Sequence, residues 1–413
     1  MGDLVVGLDV GTHKICTIVG EVRPEDVYVV GLGIEPSDGM KKGVVNDVGA
    51  LSSAIAKSIR KAEKSSGYDI NRAFVSVAGS HISSLTSRGL ATIVGSRSVQ
   101  AEDLEKAMSV ARNIAIPHNR EILHVVPRSY TLDSQDGIRS PIGMHCFRLE
   151  VDAHIITAST TSLANLEDAV ESAGVLVDRF ILNPLAAGDA VLTDHEREMG
   201  AVVIDIGGGT TDLAIFIDGT VWHTAIIPVG GNHVTQDITY WMRVPFGLAE
   251  QVKIQRGHAD MNAVSESEVF PVEPFGGEIL PVSRRDLAMV IEARLEEIFE
   301  LVEKEIKRSG YAGLLRAGAV ITGGSSQLPG YRDLASRILN LPVRLAHPER
   351  ITGIADTLKN PSYSTSVGLL RLGLEMDSVT EPELVSNMGL PVNNWSRRMN
   401  DFLRRFLPQD EQR

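Results

Sequence analysis

Two stretches of the chain share one pattern of apolar and polar positions. Residues 5–18 read VVGLDVGTHKICTI and residues 202–216 read VVIDIGGGTTDLAIF. In each, an apolar run meets Asp-x-Gly and a threonine, and a second apolar run follows. That pattern predicts a β-hairpin with a glycine-bearing turn in both places. Aligning Asp9 with Asp205, Gly11 with Gly207 and Thr12 with Thr210 leaves two extra glycines in the second copy. Two copies some 196 residues apart predict two related lobes, each opening on the same hairpin.

Helical spacing follows the hairpins. Val48, Leu51, Ile55, Ile59 and Ala62 share one face of a helix over 47–64, with Asp47 to cap it and Gly67 to stop it. Leu163, Leu166, Val170 and Ala173 repeat the pattern over 163–173, before Gly174. A long helix is predicted over 284–309, capped by Ser283, with Leu287, Ile291, Leu295, Ile298, Val302 and Ile306 as its stripe. Strands alternating with helices predict an α/β protein. Residues 84–160 break the rhythm. They read as two strands, a helix around Leu104, Ala107, Met108 and Ala111, then further strands, which together predict a small α+β insertion in the first lobe. Residues 255–282 are rich in Glu, Pro and Gly and are expected to be irregular. From Leu372 to Ser396 there is no Lys or Arg, and 375–394 is expected to be a solvated acidic linker.

Composition narrows the function. The 413 residues carry 40 Lys and Arg against 53 Asp and Glu, a net charge of −13, which disfavours a nucleic-acid partner. The N-terminus has no cationic segment of the secretory kind, and no run approaches the ~18 apolar residues of a membrane span. Cys16 and Cys146 are too few for a zinc site.

The hairpins carry the candidate chemistry. Glycines let backbone N–H groups approach phosphate oxygens, and threonine hydroxyls add donors. Asp9, Gly11, Thr12, His13 and Lys14 in one turn, with Asp205, Gly207, Gly208, Gly209, Thr210 and Thr211 in the other, suit a nucleoside triphosphate. Lys14 supplies a point charge, and Asp9 and Asp205 are placed to hold waters around Mg²⁺. Either turn alone could be no more than a tight hairpin. Gly323, Gly324 and Ser325 follow an apolar strand and are read as a turn into a helix whose N-terminus favours anions. Glu250 and Lys253, three residues apart on a helix, suit ribose and adenine, or form a surface ion pair. No Walker A pattern occurs.

These motifs, in this order, resemble the actin, sugar-kinase and heat-shock-chaperone ATPase superfamily. Within it the chain is most similar to the bacterial cell-division FtsA family. GLDVGTHKICTIVGEV, SVAGSHI, REILHVVPRSYTLD, PIGMHCFRLEVDAHIITA, VIDIGGGTTDLAIF and ITGGSSQLPG all carry that likeness, which covers essentially the whole chain. It implies an actin-like ATPase fold: two lobes of duplicated α/β subdomains around an ATP cleft. Subdomain 1A would span 1–83 and 161–198, the inserted 1C 84–160, 2A 199–232 and 2B 233–309, with 310–374 completing 2A and returning to 1A. The resemblance also implies Mg-ATP binding and self-assembly into filaments. It further implies anchoring of the tubulin-like protein FtsZ to the inner face of the cytoplasmic membrane, and recruitment of later division proteins. Two departures stand out. His13 replaces a small hydroxyl residue, and Asn183 occupies a segment where related ATPases carry Glu or Gln to orient the attacking water. Both favour binding of ATP over fast hydrolysis. Asp189, nearby, has no evident role.

The end of the chain, 395–413, is different in kind. Trp395, Met399, Phe402, Leu403, Phe406 and Leu407 fall on one helical face, flanked by Arg397, Arg398, Arg404 and Arg405. Four Arg against Asp401 give +3 over 395–407, so the remainder carries −16. That is the composition of an interfacial helix on an anionic membrane; a helix packed on the body or on a partner is the alternative. A soluble kinase on the same fold would need an acceptor pocket that the sequence does not reveal. A pilus or secretion ATPase would leave the tail unexplained.

Overall fold

A computed structural model describes residues 4–22, 27–354 and 356–377. Two sheets repeat one topology. In the first lobe the order is Leu176–Leu182, Arg72–Val77, Leu4–Val10, Lys14–Val22, Val27–Pro36, with Ile351–Gly353 added at the edge. In the second it is Val343–Leu345, Gly318–Thr322, Ala201–Ile206, Thr211–Ile217, Thr220–Ile227. In both, the opening hairpin and the strand after it are antiparallel, while the strands on the other side of the hairpin run parallel. The duplication expected from the two hairpins is therefore present in whole sheets.

Burial explains the second sheet's composition. Every residue of Ala201–Ile206 and Thr211–Ile217 is buried, as continuous apolar strands covered on both faces should be. The helix Arg284–Ser309 covers one face with Leu287, Ile291, Leu295, Ile298, Phe299, Val302 and Ile306. Ser283 caps it by accepting the Asp286 N–H at 3.2 Å, and Gly310 ends it at φ +80°. In the first lobe Asp47 caps the helix Val48–Ser66, and Gly67 stops it at φ +79°. The helix read from Leu163 starts three residues earlier, as Thr160–Ser172, because Ser159 supplies the cap.

Two helices join the lobes beneath the cleft. Asn183–Val191 leads from the first sheet to the second, and Ser364–Asp377 returns to pack against it. They approach so closely that a Cβ on Gly368 would lie 1.8 Å from the Ala186 carbonyl oxygen. Asp189, which the sequence left without a role, is fully buried here. It pairs with Arg197 at 3.2 Å and Arg371 at 3.1 Å, tying this junction together.

The insertion is a four-stranded antiparallel sheet, ordered Ser83–Thr92, Arg148–Ser159, Arg120–Leu132, Gln135–Ile138, under the helix Ala101–Arg112. One long strand precedes that helix where two were expected. Residues 255–282 are less irregular than expected: Val269–Val272 pairs with Leu280–Ser283 as a hairpin. The helix Ser364–Asp377 extends three residues into the stretch read as a linker. The remainder of that stretch, 378–394, and the amphipathic segment 395–413 lie outside the described residues.

Candidate functional site

The two hairpin turns face each other across the gap between the lobes. Their registers pair Asp9 with Cys16 and Asp205 with Asp212, so both turns hold four residues. Gly11 N–H donates to the Lys14 carbonyl, and Gly207 N–H to the Thr210 carbonyl, both at 3.0 Å. This corrects the sequence alignment. There are no extra glycines in the second copy; Gly208 and Gly209 replace Thr12 and His13, and Thr210 takes the place of Lys14. Glycine is required where the turns meet. A Cβ on Gly209 would fall 2.6 Å from Thr12 Oγ1, and one on Gly208 would fall 3.3 Å from His13 Cβ.

Around this seam lies a cavity of about 430 Å³, within the range of small-molecule sites. All the candidate residues from both turns, the 250/253 pair and 323–325 line it, except Thr211. Thr211 is fully buried, and its hydroxyl donates to the Val229 carbonyl at 2.8 Å, so it braces the turn from behind.

Asp9 and Asp205 sit at the ends of equivalent strands. Asp9 accepts from Ser76 Oγ at 3.0 Å and Ser366 Oγ at 2.6 Å. Asp205 accepts from Thr365 Oγ1 at 2.8 Å. Burial pushes the Asp205 carboxyl up to about 6; the Thr365 hydrogen bond opposes that and the Asp9 charge adds to it. Gly323 fits beside it only as glycine: φ is +90°, and a Cβ would lie 2.4 Å from Asp205 Oδ1.

Asp212 ends the second motif, with no role of its own assigned from sequence. It is buried in the cavity wall, with Oδ1 unpartnered. Burial, then the Asp205 charge, raises its pKa well above the carboxylate range, against hydrogen bonds from Thr210 and Asn183. The signal was available: Asp212 closes the motif DIGGGTTD, and equal turn lengths make it the cross-strand partner of Asp205. At the equivalent position of the first hairpin stands Cys16, whose buried thiol is pushed up to about 12. Asn183 therefore touches an acid of the cleft and lines the cavity, with its own Oδ1 unpartnered.

The remaining candidates are held as follows. Lys14 donates to the Ser362 carbonyl and lies 4.5 Å from the Tyr363 ring centre. Glu250 and Lys253, on the helix Phe246–Arg256, form a 2.7 Å ion pair that is largely buried, which removes the surface-pair alternative. Lys253 also donates to the Gly231 carbonyl at 3.1 Å, and burial lowers its pKa despite Glu250. Ser325 Oγ donates to the Gly207 carbonyl at 3.3 Å. The expected helix start after Gly323 is only the short 3₁₀ turn Gly324–Gln327, and the α-helix begins at Tyr331. A helix dipole therefore does not act at these residues. Val234, Ile254, Leu295 and Leu328 add an apolar wall that the sequence did not reveal.

Among the described residues, no group of three or more His, Cys, Asp and Glu side chains is arranged to hold an ion directly. Four carboxylates nevertheless line one cavity: Glu250, paired with Lys253, and Asp9, Asp205 and Asp212, the last two with raised pKa values. That donor set fits a hydrated divalent cation held through water, which Mg²⁺ favours.

Two duplicated sheets, an inter-lobe cleft and paired glycine hairpins define an actin-like ATPase fold. Solved structures agree. The chain matches that of a PilM–PilN type IV pilus biogenesis complex with TM-score 0.66 and 16% identity, covering 90% of this chain and 98% of that one. It matches MreB5 of Spiroplasma citri bound to ADP with TM-score 0.52 and 17% identity, covering 89% and 95%. Sequence comparison gives the family. The model described as "Cell division protein FtsA" matches residues 202–368, and "SHS2 domain inserted in FTSA" matches residues 79–157. The cell division protein FtsA of Pseudomonas aeruginosa is 42% identical over 380 residues, 91% of each chain. That of Escherichia coli K12 is 37% identical over 411 residues, 97% of this chain and 98% of the other. This chain belongs to the FtsA family.

Proposed function

We propose that the chain is a cell-division protein that binds Mg-ATP in the inter-lobe cleft and anchors FtsZ filaments to the inner face of the cytoplasmic membrane. The observation that carries the nucleotide reading is the pair of facing four-residue turns, with Gly208 and Gly209 of one packed on Thr12 and His13 of the other. The apolar wall of Ile254, Leu295 and Leu328 suits a base, and Glu250 and Lys253 suit the ribose and base edge. The turns suit the phosphates, and Asp9 and Asp205 hold Mg²⁺ through water. The ion would neutralise phosphate charge where the carboxylates gather. Asn183, an amide tied to Asp212, is a poor activator of water, which favours slow hydrolysis or none.

Family membership supports the division role, and with it FtsZ, other division proteins and a second copy of this chain as partners. The tail supplies the membrane part of the proposal. Trp395, Met399, Phe402, Leu403, Phe406 and Leu407 would lie in the interface, with the four arginines on anionic headgroups. No helix among the described residues is long and apolar enough to cross a membrane. One short helix binds weakly, and a filament presenting many would bind by avidity. Sedimentation with anionic vesicles, comparing the full chain with 1–394, tests this. Pelleting that needs the tail and increases with Mg-ATP is expected. Pelleting of the truncated chain, or none by the full chain, would overturn the membrane reading.

A further inference from the structure

The cleft has few cations free to meet an anion. Lys14 is committed to the Ser362 carbonyl and the Tyr363 ring, and Lys253 to Glu250 and the Gly231 carbonyl. Asp9, Asp205 and Asp212 line the same cavity. A nucleoside triphosphate there would meet these acids, Glu250, and two lysines that are already bonded.

Lys42 lies outside the motifs and is placed to change that balance. It belongs to the turn between Met40–Lys41 and Val44–Val45, a two-stranded ribbon of the first lobe. The turn is fixed to the first hairpin, because Gly43 N–H donates to Thr12 Oγ1 at 3.2 Å and Gly43 itself lines the cavity. It also reaches the other lobe. Lys42 Cα lies 3.0 Å from the position a Cβ would take on Gly209. Lys42 sits at φ +52°, in the left-handed region that disfavours a side chain. A glycine would avoid that cost, and strain kept by a non-glycine residue at a cleft is a sign of function. The Lys42 side chain is exposed, and its ammonium makes no hydrogen bond or ion pair among the described residues. Its charge reaches the edge of the site. After burial, it is the next largest cause of the lowered pKa of His233, in the first turn of the helix whose Gly231 and Asn232 N–H groups hold the Gly207 and Gly208 carbonyls.

We propose that Lys42 is a phosphate-binding residue, presented by the first lobe at the seam of the two hairpin turns to the terminal phosphate of a bound nucleoside triphosphate. The geometry favours the terminal group. A base held on the Ile254–Leu295 wall of the second lobe leaves the last phosphate as the one that spans to the first lobe's ribbon. A lysine stem is long enough to cover the seam from this Cα, and an ammonium on phosphate makes a charge-assisted hydrogen bond. Lys42 would then distinguish a triphosphate from a diphosphate and favour the closed arrangement of the lobes.

This inference rests on the cleft being a nucleotide site. The test is competition of ATP and ADP against a fluorescent nucleotide on the full chain, with Lys42→Gln and Lys42→Arg. In the glutamine variant, ATP affinity should fall by roughly tenfold or more, as for loss of one charge-assisted contact. ADP affinity should stay within about twofold, which also shows that the variant is folded. The arginine variant should keep most of the ATP preference. Equal weakening of ATP and ADP in the glutamine variant, or no change in either, overturns the role of Lys42. Failure of the unmodified chain to bind either nucleotide overturns the nucleotide reading itself.

Discussion

Single residues set the asymmetry of the cleft. At one position of two equivalent hairpins the chain places Cys16 in the first lobe and Asp212 in the second. The second lobe's strand thereby carries two acids, Asp205 and Asp212, where the first lobe's carries one, Asp9. Asp9 and Asp205 could be picked out from sequence because each ends an apolar run before a glycine. Asp212 could not be placed until the turn lengths were known, since a two-residue error in the turn moves every later strand residue. Buried histidines give a residue-scale prediction. His124 Nε2 accepts the Leu182 N–H at 3.1 Å, and burial lowers its pKa to about 3, with Arg179 adding to the effect. His154 lies 3.0 Å from an Arg128 nitrogen and 2.9 Å from Thr224 Oγ1, and burial drives it well below its ordinary value. An imidazole kept neutral in the fold but protonated when unfolded stabilises fully above pH about 6.5, and loses that contribution as pH falls. Between pH 6.5 and 5 His124 would lose on the order of 2 kcal/mol, and His154 acts in the same direction. Urea midpoints should therefore drop between pH 7 and pH 5, and drop less in His124→Gln; a flat profile would contradict the assignment.

Elements were legible where local chemistry decides them. Asp47, Ser283 and Gly67 mark helix ends by capping geometry alone, and the apolar spacing over 284–309 matches the observed helix Arg284–Ser309. The hairpin of Val269–Val272 and Leu280–Ser283 was hidden because Pro271 faces Pro281 in its register, and prolines argue against strands. The contact between the two joining helices was also illegible, because nothing in either sequence shows that Gly368 meets the Ala186 carbonyl. That contact yields a sharp expectation. Gly368→Ala forces the helices apart and should cost about 1–3 kcal/mol or more. Chemical denaturation measures this directly, and a change below about 0.5 kcal/mol would show that the junction yields freely.

At the scale of the molecule, the insertion touches both lobes. It leaves and rejoins the chain in the first lobe, yet Ser84 Oγ donates to the Thr224 carbonyl of the second at 3.0 Å, and Arg139 pairs with Asp218 of the second and with Glu198 just before it. Arg128 bridges the same interface, bonding Thr86 within the insertion, and Tyr311 and the Trp222 carbonyl beyond it. Any opening of the cleft must carry or break these bonds, a dependence that no stretch of sequence reveals by itself. The central claim is that the glycine seam between the lobes is a nucleotide site. Calorimetric titration of the full chain with Mg-ATP, beside Gly209→Ala, tests it most directly. The alanine Cβ would fall 2.6 Å from Thr12 Oγ1 and 3.0 Å from Lys42 Cα, holding the turns apart. Saturable binding by the unmodified chain, weakened about tenfold or more in Gly209→Ala, is the expected result. No binding by the unmodified chain, or equal binding by both, would contradict it.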